Sequence, residues 1–125
     1  MLRRHVNTNQ FAITLKQVAK YLGINPRRII KFQKWYNVLW VHIEGVGGRF
    51  VSYRKLEQWI SACCGLINRC GTIKSLQNLW GMINAEYERY TQTGFARLET
   101  VWRQRYDYLT RKARKKSTDL FEVAV

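Results

Sequence analysis

Apolar positions in the first half of the chain change period twice. Between Thr14 and Leu22, the residues Leu15, Val18, Ala19 and Leu22 recur at helical spacing, and Thr14 can cap the first turn. Gly23 suits a left-handed helix stop. Asn25 then offers a second cap, with Pro26 at the first helical position, where a missing N–H costs nothing. The spacing predicts a second helix over 26–36, burying Ile29 and Phe32, with Trp35 or Tyr36 completing the stripe, and stopped by Asn37. From Val38 to Ile43 the residues are β-branched, aromatic and apolar, which favours a strand. Glu44–Gly48 reads as a loose turn and Arg49–Val51 as the return strand. A third helix follows, capped by Ser52, with Leu56, Trp59, Ile60, Cys63 and Ile67 on one side.

Gly71 and Thr72 mark a stop and restart. Beyond them Ile73, Leu76, Trp80, Ile83, Tyr87, Gly94, Leu98, Trp102 and Leu109 follow a period near 3.6. The stretch Thr91-Gln92-Thr93-Gly94 is its weak point, leaving open a helical hairpin or one long helix. The expected organisation is a flexible basic arm at 1–12, a compact domain at 13–70, a helical extension at 72–115 and a flexible tail at 116–125. The fold class expected is mainly α with a small β-hairpin.

Charge changes the picture from architecture to partner. The chain of 125 residues holds 22 Lys and Arg against 8 Asp and Glu, a formal net charge of +14. Such a balance predicts attraction to polyanions. No acid occurs between Met1 and Ile43, whereas an ordinary solvated helix mixes both signs in i,i+4 pairs. The second helix would expose Arg27, Arg28, Ile30, Lys31 and Lys34. An α-helix fits the DNA major groove, where arginine can bond two guanine acceptors and lysine suits phosphate. Gln17 and Lys20 on the preceding helix are placed to touch the backbone, and Arg49 follows the glycine-rich tip, suited to a narrow minor groove.

Residues Ile13–Ile60 resemble the excisionase-like winged helix-turn-helix, a compact relative of the MerR-type DNA-binding domain. The resemblance rests on Thr14-Leu15, Val18-Ala19, Leu22-Gly23-Ile24, Pro26-Arg27, Ile29, Phe32, Gly47-Gly48-Arg49, Ser52, Leu56 and Trp59, and covers about 48 of 125 residues. It implies a recognition helix at 26–36 and a wing at 38–51. The corresponding contacts fall on Arg27, Arg28, Ile30, Lys31 and Arg49. The chain departs from the family at Tyr36-Asn37, where a glycine is usual, and in the aromatic content of VLWVHIEGVGG, which leaves Trp40 as either core or a partner contact.

The function expected on these grounds is binding of double-stranded DNA by a dimeric transcription regulator. The alternatives are an accessory factor of a mobile element that bends DNA, or a protein-interaction adaptor. Trp80, Ile83, Tyr87, Leu98 and Trp102 are the candidate dimer or partner interface, because aromatic residues dominate interface energies.

Other chemistry finds little support. Cys63, Cys64 and Cys70 are odd in number and lie at no zinc-ligand spacing with His5 or His42. The cysteines read as helix packing, and no serine or cysteine sits in a nucleophile motif. The reading therefore includes no catalytic residue, cofactor or metal. No apolar run approaches the roughly 20 residues that span a bilayer, so the expectation is a cytoplasmic protein with no membrane partner.

Overall fold

The computed structural model describes residues 2–8, 11–36 and 38–124, and side chains as far as residue 115 apart from those of 3 and 4. The chain is mainly helical with a small three-stranded antiparallel sheet. Helix α1 (Leu15–Leu22) leads through a single 3-10 turn (Pro26–Arg28) into β1 (Ile29–Lys34), β2 (Val38–Ile43) and β3 (Gly47–Ser52). A second 3-10 turn (Tyr53–Lys55) precedes α2 (Glu57–Arg69), and α3 (Ile73–Ala85) and α4 (Gln92–Ala124) complete the chain. The strands are ordered β1-β2-β3.

Of the caps read from sequence, Thr14 and Thr72 open α-helices, whereas Ser52 caps only the 3-10 turn at Tyr53–Lys55 and α2 starts at Glu57 without a side-chain cap. Thr14 accepts from the N–H of Gln17, whose side-chain oxygen accepts the Thr14 N–H in return at 3.0 Å. Gly23 closes α1 at φ 70°, a conformation that costs glycine nothing. Thr72 and Ser75 form the equivalent reciprocal box at the start of α3.

The helix expected over 26–36 does not form. Asn25 caps only the 3-10 turn, accepting from the N–H of Arg27 at 2.9 Å, and from Ile29 onward the chain pairs with β2. The apparent helical stripe has a different origin. Ile29 faces Ile43 and Phe32 faces Val41, so three steps on β1 match two on β2, with a register shift between Ile29 and Lys31. The bulge inserts one residue, Ile30, and turns both Ile29 and Phe32 toward the same face. An i,i+3 apolar pair inside a strand thus mimics a helix. The second helix of a helix-turn-helix is absent from the described residues, and the expected stop at Asn37 lies outside them.

Strand β2 alternates cleanly. Leu39, Val41 and Ile43 are buried, while Val38, Trp40 and His42 face the other way. The buried face joins Val18 and Ala19 of α1, Val51 of β3, Tyr53, and Leu56, Trp59, Ile60, Cys63 and Ile67 from the α2 region. The β2–β3 turn closes with the Val46 N–H on the Ile43 carbonyl at 3.1 Å, and Gly45 has φ 76°. That positive φ at the third position of the turn is a type II requirement.

Two further expectations change. The start of the chain is not a free arm: Leu2–His5 forms a 3-10 turn, and Leu2 and Val6 are buried in the core. The tail expected at 116–125 continues α4, which runs as one helix to Ala124. The chain does break near the expected weak point, but at 86–91, so that of Thr91–Gly94 only Thr91 lies outside a helix. Helix α3 ends at Ala85, a 3-10 turn spans Tyr87–Arg89, and α4 starts at Gln92, giving a helical hairpin.

One buried ion pair ties the sheet-proximal half to this hairpin. Arg54 is 6% exposed. Its Nε and Nη2 donate to the two carboxylate oxygens of Glu86 at 2.8 and 2.9 Å. The guanidinium carbon lies 4.5 Å from the Trp59 ring centre. Arg105 adds a second tie, donating from Nε and Nη2 to the Cys70 carbonyl at the end of α2.

Candidate nucleic-acid interface

The strand assignment redistributes the cations. Lys31 lies opposite His42, on the outer face of the sheet. Arg27 and Arg28 are exposed at the head of β1. Arg28 sits beside the β2–β3 turn, its carbonyl accepting the Glu44 N–H at 2.8 Å and its Nη2 donating to the Glu44 carbonyl at 3.3 Å. Ile30, lifted out by the bulge, is 60% exposed. Arg28, Ile30 and Lys31 therefore gather at one end of the sheet.

The remaining expected contacts lie elsewhere. Lys34 is at the far end of β1, with its ammonium donating to the Phe11 carbonyl at 2.9 Å. Arg49 stands opposite Val41, on the core side of the edge strand β3, yet is exposed. Gln17 is occupied by the α1 cap and accepts from Gln58 Nε2 at 2.6 Å. With Lys20, Tyr21, Lys55, Gln58 and Arg97 it lines a cleft of about 630 Å³, away from the outer sheet face.

Electrostatically the two halves of the chain differ. The first 56 residues hold eleven Lys and Arg and a single acid, Glu44. The ion pairs among the described residues include Arg54–Glu86, Arg89–Glu86, Arg97–Glu57 and Arg103–Glu99. None engages Lys20, Arg27, Arg28, Lys31 or Arg49, so the charge of the sheet region is not neutralised from within.

Compared with family models, with curated proteins and with solved structures, the chain matches none. The reading of this surface therefore rests on its chemistry.

That chemistry includes a group of residues that the charge pattern alone does not reveal. On the outer face, Trp40 stands opposite Phe50 and beside His42. Trp35, just past β1, stacks near-parallel to Trp40 (centres 6.4 Å apart, planes 10°) and lies edge-on to Phe50 at 5.1 Å. Trp40 and His42 are 5.9 Å apart. Trp35 is 46% and Phe50 61% exposed. The sequence signal lies in the alternation of VLWVHI and GGRFVS, whose outward positions include Trp40, His42 and Phe50. Trp40, left open as core or partner contact, belongs to the outward set.

Gly48 makes room for this arrangement. A Cβ there would stand 2.8 Å from Trp40 Nε1 and 3.3 Å from Cε2. Gly48→Val should therefore push the Trp40 indole off its strand with little loss of fold. We expect a shifted tryptophan emission and altered near-ultraviolet circular dichroism with an unchanged far-ultraviolet spectrum. An unchanged near-ultraviolet spectrum would show that the ring does not depend on Gly48.

The C-terminal interface residues are split by the structure. Ile83 and Leu98 are fully buried within the chain, so they belong to the core and not to a dimer contact. Trp80 and Trp102 are half-buried and stacked on each other with centres 5.1 Å apart. Tyr87 is exposed and meets Phe95 edge-on at 4.8 Å. Among the described residues, no group of three or more His, Cys, Asp or Glu could hold a metal ion, and no helix is long and apolar enough to cross a membrane.

Proposed function

We propose that the protein binds nucleic acid through the basic, sheet-bearing half of the chain, by contact and not by catalysis. The observation that carries this reading is the excess positive charge of Arg27, Arg28, Lys31 and Arg49 around the sheet, none of them held in an ion pair of the described residues. Cations in excess of acids attract phosphate, and their binding releases condensed counterions. The strand at Ile29–Lys34 removes the recognition-helix route to duplex DNA, but the same side chains reach phosphate from a sheet. Phosphate contacts set position and affinity whatever element presents them.

Affinity for a polyanionic strand should fall steeply with salt, with a slope of about −0.9 per neutralised phosphate on duplex DNA and about −0.7 on single strands. Replacing Arg27, Arg28 and Lys31 together by alanine should lower that slope by about 2–3 and weaken binding by one to two orders of magnitude at about 0.1 M salt. Titration of labelled oligonucleotides at several salt concentrations gives both quantities. If the triple variant binds as well as the parent at moderate salt, the cations are a solvated surface and the protein is better read as an interaction adaptor.

A further inference from the structure

We infer that the outer face of the sheet is a stacking platform for the unpaired bases of a single-stranded nucleic acid. This inference rests on the nucleic-acid reading above and names its ligand.

The face has the two parts such a ligand requires. Its centre gathers the rings of Trp35, stacked on Trp40, and of Phe50, tilted at 60° to Trp35, flanked by His42; the exposed faces of Trp35 and Phe50 are open to a base. Its rim at the β1 end carries Lys31, with Arg27 and Arg28 beyond it. Every base has a π-face, so exposed rings hold bases with little regard to sequence, while neighbouring cations follow the phosphates.

The platform is also held in place. The Trp35 backbone N–H donates to the Val38 carbonyl at 2.9 Å, and its carbonyl accepts from the hydroxyl of buried Tyr53. The indole N–H of Trp35 donates to Gln33 Oε1 at 3.2 Å. Gly48 leaves space for the Trp40 ring beside β3. A ring already fixed loses little side-chain entropy when a base settles on it.

Charge and shape together select the occupant. A duplex keeps its bases stacked on one another and would offer this face only its backbone; bases must be taken out of the stack before they meet an aromatic plane. An acidic protein surface would satisfy Lys31 but not the exposed ring planes of Phe50 and Trp35. Unpaired bases on a phosphate backbone satisfy both.

The test uses the full chain with labelled oligothymidine and oligouridine of about 16 nucleotides, the upper end of common site sizes for such grooves, and a mixed-sequence duplex of the same length. Fluorescence anisotropy gives affinity, and quenching of tryptophan emission reports stacking. Both single strands should bind more tightly than the duplex and quench the emission. Phe50→Ala should weaken single-strand binding about 5- to 150-fold, the value of one stacked base, with duplex binding little changed. Phe50→Tyr, which keeps the ring, should retain affinity. The exposure of Phe50 makes the substitution safe for folding, which circular dichroism verifies.

The outcomes separate the two readings. Salt-dependent binding that is equal on duplex and single strand, and indifferent to Phe50→Ala, overturns the platform but leaves the nucleic-acid assignment intact. No binding to any oligonucleotide overturns both. Concentration-dependent dimerisation that Phe50→Ala abolishes, with oligonucleotide affinity unchanged, also overturns the platform and makes this face an interface between copies. A preference between oligothymidine and oligouridine, with the Phe50 effect present on the preferred strand, supports it.

Discussion

Arg54→Ala should destabilise the protein by about 3–5 kcal/mol, the usual cost of leaving one partner of a buried ion pair alone. The side chains of Arg54 and Glu86 are 7% and 16% exposed, and their two parallel hydrogen bonds use both carboxylate oxygens. Removing the guanidinium leaves the carboxylate in a largely dry site with only Arg89, at 3.8 Å and itself mostly exposed, to compensate it. It also opens a void over Trp59, on which the guanidinium stacks. Arg54→Lys should recover only part of the loss, because an ammonium cannot make the bidentate contact or lie flat on the indole. Replacing both partners by apolar residues, Arg54→Met with Glu86→Leu, should recover most of it, since the double change leaves no orphaned charge. Urea unfolding midpoints of the four proteins test the set. A single Arg54→Ala loss under about 1 kcal/mol, the ceiling typical of surface pairs, would show that the pair is solvated and that the hairpin is attached by packing alone.

This tie could not be read from the sequence. Arg54 and Glu86 are separated by 32 positions, and each looks like any surface charge on a helix. What the sequence does carry is chemistry that acts within a few residues. Thr14 with Gln17, Gly23, Asn25 with Pro26, and Thr72 all act on backbone groups close by, and each is a boundary in the structure. The failure over 26–36 is of a different kind. Spacing of Ile29 and Phe32 by three is helical evidence only if no residue has been inserted, and a bulge inserts one. The β-branched pair Ile29-Ile30, and a partner strand four residues beyond Lys34, were the competing signals, and cross-strand pairing won over local period. The burial of Leu2 and Val6 is not legible in the sequence, because three apolar residues in a polar decapeptide are too few to set a period.

The candidate site was half legible for the same reason. Charge is a property of composition, so the excess of cations before Ile43 survives any error in secondary structure. Their grouping does not: moving Ile29–Lys34 from helix to strand sends Lys31 to the outer face and Lys34 to Phe11. The aromatic cluster needed the register itself, because Trp40 and Phe50 become neighbours only when β2 and β3 pair as they do.

Raising the pH above about 9 should unfold the protein progressively, and the cause lies in α2 and its contact with Tyr90. Burial pushes the Cys63 thiol up from 9.0 to about 12, and Cys64 rises for the same reason. The Tyr90 hydroxyl, which accepts the Trp59 indole N–H at 3.1 Å, is raised as well, mainly by burial and then by the neighbouring Cys63. The sign follows from proton counting. Between the unfolded and folded pKa values of Cys63 the folded chain keeps its proton and the unfolded chain has lost it, so stability falls as pH rises. Stability linked to this group is fully present below pH 9 and drains at up to about 1.4 kcal/mol per pH unit until the folded thiol titrates. Tyr90 adds to the slope above pH 10. The two do not simply sum, because two adjacent buried anions would repel each other. Unfolding in urea at intervals from pH 8 to pH 11 should therefore show a midpoint that is flat at first and then declines. In Cys63→Ala, weaker overall because of the cavity it creates, the decline between pH 9 and pH 10 should be shallower. A midpoint unchanged from pH 8 to pH 11 in the parent would mean that these groups meet water in the folded state, and the packing of α2 against Tyr90 would have to be looser than the structure has it.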